Sequence, residues 1–101
     1  MKKDAENILV EYDREAGKCF GSTYQNFEVA SRKLNRRRDE NVFHQLTAQY
    51  NYTLRQQLEE IALRLIDTYQ GRIENITQLQ RMLTGRIDFF LNEFNRKSVS
   101  Q

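Results

Sequence analysis

Leu54-Arg55-Gln56-Gln57-Leu58-Glu59-Glu60-Ile61-Ala62-Leu63-Arg64-Leu65 decides the fold. Leucine or isoleucine recurs at 54, 58, 61 and 65, spacings of 4, 3 and 4 that draw one apolar stripe along an α-helix. Gln56, Gln57, Glu59, Glu60 and Arg64 supply much of the outer face. Upstream, Phe43, Leu46 and Tyr50 continue the stripe, and Tyr69 closes it, so the helix is expected over about 41–69. Gln70-Gly71 is the strongest stop signal, since glycine after the last periodic residue suits a left-handed cap.

Earlier in the chain, Asn35-Arg36-Arg37-Arg38-Asp39-Glu40-Asn41 carries no apolar residue, so nothing there can face a core. A turn is expected, with an exposed helical stretch as the alternative and Asp39 or Asn41 available to cap the following helix. Before it, Ala5, Leu9, Tyr12, Ala16, Phe20, Tyr24, Phe27, Ser31 and Leu34 keep a helical phase over about 4–35. Gly17 and Gly21 interrupt it, each disfavouring a helix interior by roughly 1 kcal/mol. The unbroken phase favours one helix, whereas the capping-box pattern of Ser22-Thr23-Tyr24-Gln25 favours a joint at Gly17–Gly21. After Gly71, Ile73, Ile76, Leu79, Leu83, Ile87, Phe90 and Phe94 define a third helix over about 72–97, with 98–101 a frayed tail.

Helices of matched length with short connections are expected to pack as antiparallel neighbours. The predicted fold is therefore all-α, an antiparallel three-helix bundle forming a single domain over 1–101. The rival is a helical hairpin that dimerises to bury the same stripes. In such a bundle the first and third helices run parallel; Gly17, Gly21 and Gly85 read as local kinks, with close backbone approach of the two helices as the alternative.

Composition agrees. The chain has 101 residues, 39% hydrophobic and 30% charged, with no proline. A net charge of +2 argues against a protein whose main task is coating nucleic acid. Cys19 is the only cysteine, so no internal disulfide forms. No apolar run is long enough for a signal peptide or membrane span. A cytoplasmic location is expected, and the glycosylation patterns at Asn51-Tyr52-Thr53 and Asn75-Ile76-Thr77 read as coincidence.

Catalytic chemistry is sparse, and no enzyme activity is expected. In a bundle Cys19 and His44 stand roughly 20 Å apart along the axis, too far for a dyad. There is no Cys-x-x-Cys, His-x-x-x-His or Glu-x-x-His, so no metal or other cofactor is predicted. Asp13, Glu59 and Glu93 read as solvated carboxylates.

Two surfaces remain. Arg32, Lys33, Arg36, Arg37 and Arg38 form the densest charge feature, read as a solvated turn with phosphate or acidic-partner contact as the alternative. Apolar residues off the core stripes are more informative: Met82 and Phe89, seven apart, and Tyr52 and Leu63, eleven apart, with Val10 and Val29 as further outliers. These pairs suggest packing beyond the core. The expected function is a non-enzymatic helical interaction module, an adaptor, scaffold or chaperone-like subunit, using Tyr52, Leu63, Met82 and Phe89 to bind itself or a helical partner. The alternative is a small nucleic-acid-associated regulator using the 32–38 cluster.

Overall fold

The computed structural model describes residues 2–35, 37–69, 71 and 75–99, with side chains from Ala5 onward. Among the described residues three helices, α1 (Lys2–Ser31), α2 (Glu40–Thr68) and α3 (Ile76–Val99), pack pairwise into a rod of 54 × 19 × 18 Å. Their order is up-down-up. Tyr12 meets Leu58 and Phe27 meets Phe43, so α2 runs against α1. Asp13 meets Arg86 and Tyr24 meets Lys97, so α3 runs with α1. One chain closes the bundle, and the dimerising hairpin is not needed to bury the stripes.

The boundaries follow local polar chemistry. α1 ends at Ser31, short of residue 35, because its hydroxyl donates to the Glu28 carbonyl at 2.9 Å while Lys33 and Leu34 tighten into bonds three residues back. Asn35 and Asp39 then close the connection reciprocally. The Asn35 amide N–H donates to Asp39 Oδ2 at 2.9 Å, and Asn35 Oδ1 accepts from the Arg37 and Arg38 amides at 3.0 and 3.3 Å. Gly71 takes φ 88°, the left-handed conformation expected after α2. α3 starts at Ile76 rather than 72, since Asn75 Oδ1 accepts the Gln78 amide at 3.0 Å and acts as N-cap; Ile73 lies outside the described residues. α3 runs on through Ser98 and Val99, the first two residues of the tail expected to fray. Ser98 is 1% exposed and its hydroxyl donates to the Asn95 carbonyl at 2.9 Å. Residues 100–101 lie outside the description.

The core changes character along the rod. At the end holding the 31–40 connection, Phe27 is fully buried with its ring centroid 5.3 Å from Phe94, 5.7 Å from Phe43 and 5.9 Å from Tyr50. Phe20, Tyr24 and Phe90 extend this cluster. Toward the other end Ile8, Leu54, Leu58, Leu65, Leu79 and Leu83 form an aliphatic core. Each seam also carries polar clamps. Glu15 pairs with Arg64 between α1 and α2, Asp13 with Arg86 between α1 and α3 at 3.1 Å, and Asn51 with Asn95 between α2 and α3 at 3.1 Å.

α1 runs unbroken through Gly17 and Gly21, and Ser22 caps nothing. A Cβ added at Gly17, Gly21 or Gly85 would meet nothing within 4 Å, so these glycines line the solvent faces and mediate no close approach of α1 to α3. The glycine penalty is offset by Ala16, Phe20 and Tyr24, which anchor both sides of the gap in the core. Consequently Gly17→Ala and Gly21→Ala should each raise stability by roughly 0.5–1 kcal/mol in urea unfolding. Gly71→Ala should lower it by about 1–2 kcal/mol because of its positive φ.

Tyr12 is buried, and its hydroxyl donates to the Leu58 carbonyl at 3.2 Å. Burial pushes the phenol well above its ordinary value, with the nearby Cys19, Asp13 and Glu59 adding to the effect. The unfolded chain ionises this phenol near pH 10, whereas the folded chain holds it neutral to higher pH. The associated stability is complete below about pH 10 and is lost as pH rises beyond it, at up to about 1.4 kcal/mol per pH unit. Tyr12→Phe should flatten the alkaline limb of a stability-against-pH curve by that contribution.

Candidate functional site

Tyr52, Leu63, Met82 and Phe89 are all exposed, at 61, 66, 41 and 58%. They do not form one continuous face. Leu63 borders a groove between α2 and α3 of about 310 Å³, whose walls include Ile66, Leu83 and Ile87, with Arg55, Glu59 and Asp88 among its charged residues. Tyr52 lies three turns of α2 away, its hydroxyl accepting a hydrogen bond from Gln56 Nε2 at 3.0 Å. Met82 and Phe89 line neither groove. They occupy the face of α3 opposite the buried Leu83, Ile87 and Phe94, where the Phe89 ring meets Phe90 edge-on at 5.5 Å. Val10 and Val29 are exposed singly on α1.

The helical wheel exposed Leu63 as an outlier, but the groove beside it needs the α2–α3 register, which brings Leu83 and Ile87 level with Ala62 and Ile66. No spacing within one helix encodes that register.

A second, more polar groove of about 490 Å³ lies between α1 and α2, lined in part by Cys19, Thr23, Tyr50, Gln57 and Arg64. Cys19 Sγ and Thr23 Oγ1 both donate to Gln57 Oε1, at 3.0 and 3.3 Å. Burial pushes the Cys19 thiol above its ordinary value, and the Thr23 contact opposes this only in part. The arrangement holds a protonated donor rather than a thiolate nucleophile. His44 sits thirteen residues from Gln57 along α2, about 20 Å away, beside Glu40 at 3.7 Å and against the Phe43 ring. Asp13, Glu59 and Glu93 also stand apart, paired with Arg86, Arg55 and Arg96 respectively. The hydrogen-bonded Arg96 holds the Glu93 carboxyl below its ordinary value. Among the described residues no three histidine, cysteine or acidic side chains are placed to hold a metal ion.

The basic cluster rims the 31–40 connection. Arg32, Lys33, Arg37 and Arg38 are exposed, and Arg36 lies outside the described residues. Arg38 Nε approaches its neighbour Asp39 at 3.7 Å, so a carboxylate shares the turn with the guanidinium groups. At the same end Lys97 Nζ stands 4.6 Å from the Tyr24 ring centroid, a cation–π contact that period-counting within one helix does not reveal. No described helix is long and apolar enough to cross a membrane.

No family model, curated protein or solved structure matches this chain.

The state of Cys19 gives a direct check. Its alkylation by iodoacetamide at pH 8 should run several-fold slower in the folded chain than in the urea-unfolded chain, and Cys19→Ser should leave the unfolding midpoint near that of the parent.

Proposed function

We propose that the chain is a non-enzymatic helical interaction module, an adaptor, scaffold or chaperone-like subunit that presents apolar helix surfaces to a helix of itself or of a partner. One observation carries this reading. Leu63, Tyr52, Met82 and Phe89 remain in water although the bundle core is already closed without them. Removing apolar surface from water returns about 25 cal/mol per Å², so apolar area left exposed at helical spacing on α2 and on α3 favours association. The α2–α3 groove adds shape to that tendency, since an apolar wall bordered by Arg55, Glu59 and Asp88 suits an amphipathic helix with charged flanks. Among the described residues the titratable groups are sparse and mutually distant, with no convergent set for acid–base or nucleophilic work.

Arg32, Lys33, Arg37 and Arg38 support the competing reading, a nucleic-acid-associated regulator, through their charge alone. No ring lies among them for a base to stack on, and Asp39 and Glu40 share the turn.

Leu63→Glu and Phe89→Glu separate surface from core. Both residues lie outside the buried set, so helicity should persist and unfolding free energy should stay within about 0.5 kcal/mol. Self-association in sedimentation, or retention of a helical partner on immobilised chain, should be lost in at least one variant. A chain that stays monomeric and retains nothing the variants lose would overturn the reading. Duplex binding at about 50 mM salt that Arg37→Ala and Arg38→Ala abolish would replace it with the nucleic-acid one.

A further inference from the structure

The outward face of α3 carries its own ordered pattern. Arg81-Met82 and Asp88-Phe89 stand at equal distances on either side of Gly85, at −4, −3, +3 and +4. All five residues are exposed. At 100° per residue, Met82 and Phe89 fall on one flank of Gly85, and Arg81 and Asp88 on the other. When two helices pack antiparallel about a perpendicular two-fold axis, each flank meets its own copy. An axis at Gly85 would therefore set Met82 against the partner copy's Phe89 and Arg81 against the partner copy's Asp88, each contact occurring twice. At Gly85 itself an added Cβ meets nothing within 4 Å, so the backbone lies bare where the two helices would cross.

We infer that α3 forms an antiparallel, two-fold-symmetric interface with a second copy of this chain, centred on Gly85. This rests on the interaction-module reading and specifies its partner and register. Charge is the reason to choose a second copy over another protein. Arg81 and Asp88 make no ion pair among the described residues, and they are two helical turns apart, too far to pair with each other. The other arginines bordering this face are already neutralised within the chain: Arg86 by Asp13 at 3.1 Å and Arg96 by Glu93 at 2.8 Å. The face thus offers one free positive and one free negative side chain, placed so that a two-fold axis satisfies both. A C2 interface requires this kind of self-complementarity. With two large apolar residues from each copy, the interface is small and the dimer weak, with a dissociation constant on the order of tens of micromolar.

Sedimentation equilibrium over about 10–500 µM reads it out, spanning the expected range of weak association. The parent chain should move from 12.1 kDa toward twice that mass. Arg81→Asp alone and Asp88→Arg alone should each raise the dissociation constant about tenfold, and Phe89→Glu should abolish the dimer, with circular dichroism unchanged throughout. The double variant Arg81→Asp/Asp88→Arg should return to within about threefold of the parent, because the reversed pairs face each other again across the axis. Absence of that rescue overturns the register. Association that survives Phe89→Glu but is lost in Leu63→Glu overturns the α3 interface while leaving the interaction-module reading standing. A parent chain monomeric across the range overturns the inference, and the module reading then stands or falls on the partner-retention assay alone.

Discussion

Burial of Phe27 against rings from all three helices is the contact on which the remaining architecture depends. Its neighbours Phe43 and Tyr50 come from α2, Phe94 from α3 and Tyr24 from its own helix. A planar ring that must meet several others edge-on leaves little freedom to slide, so this cluster sets helix register at one end of the rod. An aliphatic core tolerates small shifts far better. The contacts of α1 with Arg64, Arg86 and Leu58 lie nearer mid-length, and their positions follow from that register. Glu15 reaches Arg64, Asp13 reaches Arg86 and Tyr12 reaches the Leu58 carbonyl because Phe27 is level with Phe43 and Phe94. Such exposed ion pairs add little stability of their own. Their placement reports the alignment more than it causes it.

The same alignment creates the two grooves. Between α1 and α2 it brings Cys19 and Thr23 onto one acceptor, Gln57, leaving the thiol engaged as a donor. Between α2 and α3 it brings Leu63 and Ile66 beside Leu83 and Ile87 and leaves an apolar wall open to water. Around these features the titratable groups are dispersed and mostly paired with their nearest opposite charge. The exposed apolar side chains are divided between the α2–α3 groove, beside Leu63, and the outward face of α3, at Met82 and Phe89.

Local signals account well for the helices and less well for their ends. Counting spacings from Leu54 to Leu65 is enough to place α2, and the gap at 35–41 is enough to place a connection. The errors concern polar termini. Ile73 fits the apolar phase and draws the expected start back to 72, although Asn75-Ile76-Thr77-Gln78 carries the capping pattern. A side-chain oxygen on the Gln78 amide outweighed that phase. Ser98 lies past the end of the apolar stripe, where period and polarity alone read as a tail, yet helix packing buries it. Intrinsic propensity marks Gly17 and Gly21 as a weak point in α1, and counting along separate helices sets them near the level of Gly85. In the fold Gly17 and Gly21 face away from the core, so the helix continues and no contact forms.

Three amphipathic stripes, the connection between 31 and 40 and the outward positions of Tyr52, Leu63, Met82 and Phe89 are properties of the sequence by itself, because each depends only on helical period and side-chain polarity. The symmetric spacing about Gly85 is equally local. Tertiary structure decided which stripe meets which, and hence that Leu63 borders a groove while Met82 and Phe89 stand alone on a separate face. It also decided that Cys19 shares an acceptor with Thr23 and that Lys97 covers Tyr24. These are relations between residues dozens of positions apart, set by how aromatic volumes interlock across helices, and no period within a single helix carries that information.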